Sequence, residues 1–170
     1  LPLLHWFDNR IAAELRLWDA IDQQRLTPFA YYGVADDVDY TSIPWKRGMG
    51  YDVEGLTNLL TASDVWAKRI ITELQRRVGN TSGMRALSFC VSVEHARFMS
   101  RVFNEHGIKS VAIWSETPRD EREQALRDLA SKKVNVVFSV DLFNEGVDVP
   151  TVDTLLMLRP TDSATLFLQQ

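Results

Sequence analysis

The sequence has little cysteine, no long apolar run and no excess of positive charge, and each absence excludes a class of protein. Cys90 is the single cysteine among 170 residues, so an internal disulfide is impossible and a small disulfide-stapled fold is excluded. No apolar run approaches the roughly 20 residues that span a bilayer, and the first residues lack the features of a signal peptide. We expect a cytoplasmic protein without a membrane partner, cut from a longer chain.

The charge balance is slightly acidic, with 19 basic and 23 acidic side chains and a net charge of −4. Free-standing nucleic-acid binders are usually basic, because neutralised phosphates supply much of their affinity. The overall charge therefore argues against an autonomous DNA-binding protein. For one cluster of arginines, a local basic face and an ordinary solvated helix face both stay open: Arg69, Arg76, Arg77 and Arg85.

Several signatures of known chemistry are missing. There is no G-x-x-x-x-G-K-[ST] phosphate loop and no G-x-S-x-G nucleophile elbow, and Gly48-Met49-Gly50 lacks the strand and third glycine of a dinucleotide fingerprint. His5, His95 and His106 are too far apart for zinc ligation, and we expect His95 and His106 to be exposed or half-buried. Cys90 lies in an apolar segment, which favours a packed core residue over a nucleophile.

The first 34 residues predict one helix and one short extended run. Apolar residues at helical spacing indicate a helix over 11–21, with Asp8 or Asn9 as its N-cap. We expect Pro28 to end this helix, because proline cannot continue the hydrogen-bond ladder. The β-branched and aromatic content of 29–34 indicates a β-prone segment.

The next 50 residues combine an irregular segment with a clear helix. Glycines, prolines and acidic residues over 35–55 predict loops or very short elements. Ser63 is the predicted N-cap of a helix that ends at Val78, and Gly79 follows as a left-handed cap. Residues 80–83 form a polar connector.

After Gly83 the pattern becomes regular, because apolar segments alternate with helical ones. Strands are predicted over 85–91, 111–114, 134–140 and 152–158. Helices are predicted to begin after Ser92, at Pro118 in the first helical position beside Thr117, and at Ser163. Strands that alternate with helices of about 12 residues imply parallel βαβ units. We therefore predict a three-layer α/β/α fold with a mostly parallel sheet.

Ligands in such folds bind beyond the carboxyl ends of the strands. Four loops lie there: 92–94, 115–117, 140–142 and 160–163. Three of the four pair a hydroxyl with a helix N-terminus. Free N–H groups at a helix N-terminus attract phosphate oxygens, so these loops predict a phosphate-facing edge. The alternative is that each hydroxyl is an ordinary N-cap worth about 1 kcal/mol.

The strongest local pattern is Asn144-Glu145-Gly146-Val147-Asp148-Val149-Pro150, which follows a buried strand. Gly146 permits a positive φ or a close backbone approach, and Asp148 offers a carboxylate in a structured turn. Without context the pattern is equally compatible with an ordinary turn that Asp148 caps.

Three segments in the correct order resemble motifs of superfamily 2 helicases. The segment 87–92 resembles the fourth motif, and 139–150 looks like the fifth motif in the version of type III restriction-subunit-like helicases. The segment 158–163 is similar to the stretch that leads into the sixth motif. The resemblance implies the second RecA-like lobe of an ATP-dependent helicase or translocase.

The resemblance also implies roles for individual residues. Glu145, Gly146 and Asp148 would face ATP, which together with Mg²⁺ would be held mainly by a missing first lobe. A second set would touch the phosphate backbone of one nucleic-acid strand, most simply DNA: Ser92, Ser115, Ser139, Val140 and Asp141. Val140 occupies the position of the threonine common in the fifth motif, so the hydroxyl beside it belongs to Ser139.

This reading divides the chain into a linker helix from the lobe junction, 1–25, and the RecA-like lobe, 26–170. The lobe would stop before the sixth motif, of which Gln169-Gln170 would be the start, so its arginine finger would lie outside this chain. We expect the parent to hydrolyse ATP with an upstream RecA-like lobe as its partner, and this fragment alone to be inactive. The alternatives are a stand-alone α/β binding or scaffold domain and, less favoured, a Rossmann-type enzyme.

Overall fold

The computed structural model describes residues 15–35, 38–46, 50–142 and 149–160. By their contacts the residues divide into two units, Leu1–Gly33 and Val34–Gln170. No helix in the described ranges is long and apolar enough to cross a bilayer.

In the first unit, helix α1 spans Leu17–Asp22. It ends well before Pro28, because Gln24 has a φ of 57° and the N–H groups of Arg25 and Leu26 both turn back to the carbonyl of Ala20. The predicted N-cap, Asp8 or Asn9, lies outside the described residues. The β-prone run 29–34 forms neither a strand nor a helix.

The second unit begins with a small irregular region. A 3₁₀ turn, Tyr40–Ser42, precedes a two-stranded antiparallel pair, β1 (Trp45–Lys46) and β2 (Gly50–Tyr51). Helix α2 follows at Val53–Thr61. The prediction of loop through residue 55 was therefore wrong at its end.

Helix α2 escaped prediction because its start resembles a loop in composition. The Asp52 carboxylate accepts from the N–H of Gly55 at 2.7 Å, as an N-cap does. A Cβ on Gly55 would lie 2.9 Å from that carboxylate and 3.3 Å from Ile43 Cδ1, so the close approach requires glycine inside the helix.

The predicted long helix is confirmed as α3, Asp64–Val78. Gly79 ends it with a φ of 73°, in the left-handed region predicted for it. The connector contains a 3₁₀ turn, Thr81–Gly83, in which the Asn80 side chain accepts from the N–H of Ser82.

The α/β core consists of four parallel strands and two further helices. The strands are β3 (Ala86–Phe89), β4 (Ser110–Ile113), β5 (Val136–Ser139) and β6 (Thr154–Met157), and the helices are α4 (Val93–Glu105) and α5 (Arg119–Ala130). The sheet order is β4-β5-β3-β6. The predicted parallel sheet is confirmed.

The central strands β3 and β5 are buried on both faces, which gives the predicted three layers, while the edge strand β6 is half-buried to exposed. On one face, residues of α3 and α4 such as Ile71 and Phe103 pack against Val136 and Phe138. On the other face, residues of α5 including Leu129 pack against alternate strand residues such as Val137. The alternation follows the two-residue period of a strand.

Helix α5 begins one residue later than predicted. Pro118 is the N-cap residue, with an extended ψ of 145°, and not the first helical residue. The Thr117 hydroxyl does not cap the helix, because it accepts from the N–H of Trp114 at 3.0 Å. The predicted helix from Ser163 lies outside the described residues.

Candidate functional site

The carboxyl ends of the four parallel strands meet at one edge of the sheet. We use the term carboxyl rim for the described residues that follow them: 90–97, 114–118, 140–142 and 158–160. Ligands of open α/β sheets bind at this edge, and the predicted site residues within the described ranges all lie at it or end the strand that leads to it.

Ser92 connects the carboxyl rim to both α4 and α2. Its hydroxyl accepts from the N–H of His95 at 3.1 Å, so it is the predicted N-cap of α4. The hydroxyl oxygen of the buried Thr57 on α2 lies 2.8 Å from Ser92 Oγ and 2.8 Å from the carbonyl oxygen of Val53. Sequence reasoning missed Thr57, because the helix that carries it was not predicted.

His95 is fully buried, so the prediction of an exposed or half-buried histidine was wrong. It shares the inward face of α4 with Met99, one helical turn further on. Its Nδ1 accepts from the N–H of Val91 at 3.4 Å, its Nε2 has no hydrogen-bond partner in the described structure, and its ring lies 5.4 Å from that of Trp66. Burial lowers the pKa of His95 to about 4, so the imidazole is neutral at pH 7.

The end of β5 and the turn after it contain three predicted site residues, two of them buried and one exposed. Ser139 is 1% exposed, and its hydroxyl donates to the carbonyl of Ser88 at 2.7 Å. Val140 is also buried, and its N–H donates to the Ile113 carbonyl. Asp141 is exposed. The structure therefore brings Asp141 to the surface of the carboxyl rim but commits the Ser139 hydroxyl to the interior of the sheet.

Asp141 forms an ion pair with Arg159. Asp141 follows β5 and Arg159 follows β6, and β3 lies between those two strands, so the pair bridges the positions on either side of the end of β3. Asp141 also has a φ of 51°, a conformation that non-glycine residues seldom adopt. Arg159 was not singled out from the sequence, although its place directly after an apolar strand was a usable signal.

The turn after β4 carries Ser115 and the neighbouring Trp114. Ser115 is exposed. The half-buried Trp114 packs against the core, and the guanidinium carbon of Arg97 on α4 lies 4.5 Å from the centroid of its ring system. Sequence reasoning missed Arg97, because its contact joins two segments of the chain that are separated by a strand.

Cys90 is 1% exposed, which confirms it as a packed core residue. Burial raises the pKa of its thiol to about 12, and the Ser88 hydroxyl lies 3.9 Å from the sulfur. A thiol in this environment stays protonated and is not a nucleophile at neutral pH.

The three residues predicted to face ATP, Glu145, Gly146 and Asp148, lie outside the described residues. Within the described ranges, no three histidine, cysteine or acidic side chains come together as metal ligands.

The four parallel strands, the flanking helices and the polar loops at one edge define a RecA-like α/β lobe. The chain belongs to the family described as the helicase conserved C-terminal domain, whose model matches residues 67–170. The fold agrees with two solved structures: the yeast DEAD-box splicing factor Prp28 (TM-score 0.52, 14% identity, 60% of this chain and 22% of that one) and Dbp5 of S. cerevisiae bound to RNA and ADP BeF3 (TM-score 0.50, 14% identity, 61% and 28%). The predicted superfamily 2 helicase lobe is confirmed.

Two curated relatives match nearly the whole chain. A 51.5 kDa protein of a Lactococcus phage (isolate 7-9) is 32% identical over 96% of this chain and 34% of its own length. IRC3 of Saccharomyces cerevisiae, which is named as an ATP-dependent helicase, is 22% identical over 95% of this chain and 23% of its own length. The chain thus spans about a third or less of these relatives.

Proposed function

We propose that this chain is the second motor lobe of an ATP-dependent superfamily 2 helicase or translocase and works beside a first RecA-like lobe of the same polypeptide. The observation that carries the proposal is the family match over 67–170, which contains the whole four-stranded sheet and its carboxyl rim. The name of IRC3 supports ATP dependence.

In this proposal the lobe forms one wall of a nucleotide cleft. We assign Glu145, Gly146 and Asp148 to that wall, and the triphosphate cradle and the Mg²⁺ ligands mainly to the first lobe. ATP bound in the cleft supplies the free energy for lobe closure. The resemblance of 139–150 to type III restriction-subunit-like helicases is the narrower form of the same proposal.

The carboxyl rim would hold the phosphate backbone of one strand, with DNA as the first substrate to test. Ser92, Ser115, Val140 and Asp141 lie in the loops where the resemblance puts this contact, and Ser139 ends the strand before one of them. Hydroxyl and N–H groups position a backbone without reading its sequence. The Asp141 carboxylate is a hydrogen-bond acceptor that is paired with Arg159. We therefore expect Asp141 to orient that arginine and not to contact a phosphate itself.

The test compares this chain alone with the same chain joined to a first lobe. Alone, it should bind single strands weakly, with a log K against log salt slope of about −1.4 to −2, which corresponds to two or three phosphates. It should not hydrolyse ATP, whereas the joined protein should show ATPase activity that nucleic acid stimulates. Nanomolar affinity of the lobe alone at physiological salt, or turnover by the purified lobe that Asp148→Ala abolishes, contradicts the proposal.

A stand-alone α/β binding or scaffold domain is the second candidate. It is favoured by the net charge of −4 and by the internal use of the hydroxyls of Ser92 and Ser139. This candidate predicts no binding to single strands and no gain of ATPase activity on joining a first lobe. For either function we propose a cytoplasmic location, which the free, buried Cys90 supports.

A further inference from the structure

Arg97 lies over Trp114 at the carboxyl rim. The guanidinium carbon is 4.5 Å from the ring centroid, within the range of a cation–π interaction. Arg97 belongs to the helix that follows β3, and Trp114 is the first residue after β4. The contact therefore joins the loops of Ser92 and Ser115, two of the predicted backbone-binding loops.

Arg97 differs from Arg101 and Arg159 in having no carboxylate partner among the residues that the structure describes. Arg159 is paired with Asp141, and Arg101, one turn further along α4, is bound by both Asp64 and Glu105. Within the described ranges no carboxylate forms an ion pair with Arg97, although Glu94 lies on the same helix. The indole ring thus holds an exposed guanidinium whose charge is not neutralised.

The surface around this cation is open to a ligand. It follows the exposed side of α4 from its first turn and carries Val93, Glu94, Arg97, Phe98 and Arg101. A guanidinium stacked on a ring loses part of its freedom before any ligand arrives, and its N–H edges stay available for hydrogen bonds to an oxyanion.

We propose that Arg97, held by Trp114, is a phosphate-binding residue for the backbone of a nucleic-acid strand that crosses the carboxyl rim. This inference rests on the proposed function and deepens it. The contact supplies charge and orientation without base readout, because a phosphate is the same at every position of a strand. It also explains how a lobe with a net charge of −4 obtains a local cationic contact.

The experiment measures binding of the 170-residue chain to fluorescent single strands, one of mixed sequence and one of oligo-dT, across a salt series. Arg97→Gln should weaken binding about fivefold at about 0.1 M salt and should make the log–log slope less steep by about 0.7, the contribution of one phosphate on a single strand. The loss should be equal for both sequences. Arg97→Lys should keep the slope and recover part of the affinity.

The matched control is Arg76→Gln, which makes the same change of charge. Arg76 is exposed, is paired with Glu73, and lies at the end of α3 that leads to the amino edge of the sheet. Arg76→Gln should leave the affinity and the salt slope unchanged. Trp114→Leu should weaken binding although it leaves the net charge unchanged. If Trp114→Leu does not fold, because this tryptophan packs against the core, the Arg97 variants alone decide the question.

The outcomes distinguish failure of the Arg97 assignment from failure of the proposed function. Binding by the wild type with equal affinity and slope for Arg97→Gln overturns this inference alone. No binding by the wild type overturns the proposed function and the inference with it. A parallel titration with ATP distinguishes the source of the phosphate: if Arg97→Gln weakens ATP binding and spares the oligonucleotides, the residue serves the nucleotide and the inference fails.

Discussion

The two ends of the parallel sheet use their polar side chains differently. At the amino ends, the Asn135 side chain donates to the carbonyls of Ser82 and Met84 at 3.0 and 3.2 Å, and Asp153 accepts from both the backbone and the side chain of Arg85. At the carboxyl rim, Arg97 has no carboxylate partner within the described structure. The amino edge is closed by internal hydrogen bonds, whereas the carboxyl rim carries at least one exposed cation without such a partner in the described structure.

This difference separates residues that stabilise the fold from residues that act. Polar groups whose partners lie within the sheet contribute to the free energy of unfolding, because an orphaned buried group costs about 1–3 kcal/mol. Exposed rim groups contribute little to it and are available for binding. Substitutions at the amino edge should therefore lower stability and leave affinity unchanged. Most substitutions at the carboxyl rim should lower affinity and leave stability nearly unchanged.

The largest expected effect belongs to a rim residue that breaks this rule, the buried His95. Its pKa is lowered from 6.5 to about 4 by burial, so the unfolded chain binds a proton at a pH where the folded chain does not. The contribution of neutral His95 to the free energy of unfolding is fully present above about pH 6.5. It is lost as the pH falls toward 4, which lowers the free energy of unfolding by about 3 kcal/mol in all. Urea unfolding between pH 7 and pH 4 measures the loss.

The control for this prediction is the histidine at the other end of the helix. His95→Phe should flatten the stability profile between pH 6.5 and 4, because phenylalanine does not titrate. His106→Gln, at the exposed C-cap of α4, should retain the acid sensitivity of the wild type. An unchanged profile in His95→Phe would mean that other groups cause the acid sensitivity.

The second prediction concerns the amino edge. Asn135→Ala should lower the free energy of unfolding by about 2 kcal/mol, because two carbonyls near a buried side chain lose their donor. Affinity for single strands and its salt dependence should not change in the folded variant. Asn80→Ala is the control, since Asn80 caps an exposed turn and should cost less. A change of salt slope in Asn135→Ala would contradict the division between the two edges.

The third prediction tests the nucleotide assignment. In a protein that contains both lobes, Asp148→Ala should lower nucleic-acid-stimulated ATPase activity about tenfold, equivalent to about 1.4 kcal/mol. The melting temperature should stay within error of the wild type. If ATPase activity is unchanged and thermal stability falls, Asp148 is a turn cap and has no role in the nucleotide cleft.

The parallel sheet could be predicted because its signals are local. The uninterrupted apolar segments 136–138 and 155–158, in a chain where strands alternate with helical segments, indicate parallel strands without knowledge of their order. Ser92 and Gly79 were assigned as caps for the same reason, since a cap depends on residues within one helical turn.

The contacts of the carboxyl rim could not be predicted, because they depend on the order of the strands. Asp141 meets Arg159 across the end of β3, and Arg97 meets Trp114 across a loop and a strand of the chain. Neither pairing has a characteristic spacing in the sequence. The burial of His95 is a related case, since the helical pattern did not show that the ring of Trp66 would lie against it.

The smallest expected effect decides whether Ser92 is a cap, a backbone contact or both. Ser92→Ala should lower stability by about 1 kcal/mol through the lost N-cap. It should also weaken single-strand binding about threefold, the value of a net hydrogen bond of roughly 0.7 kcal/mol. The second effect requires that the hydroxyl proton of Ser92 is free. That is so when the N–H of His95 and the hydroxyl of Thr57 both donate to Ser92 Oγ.

Thr57→Val distinguishes this arrangement from its alternative. The Thr57 hydroxyl has one proton and two acceptors at 2.8 Å, Ser92 Oγ and the carbonyl of Val53. If the Thr57 hydroxyl donates to the carbonyl of Val53, the Ser92 hydroxyl must donate to Thr57 and has no proton left for a phosphate. We expect Thr57→Val to leave affinity unchanged, because the Ser92 proton already faces the ligand. A gain of affinity in Thr57→Val, together with no loss in Ser92→Ala, would make Ser92 a cap alone and would leave Arg97 as the better test of the carboxyl rim.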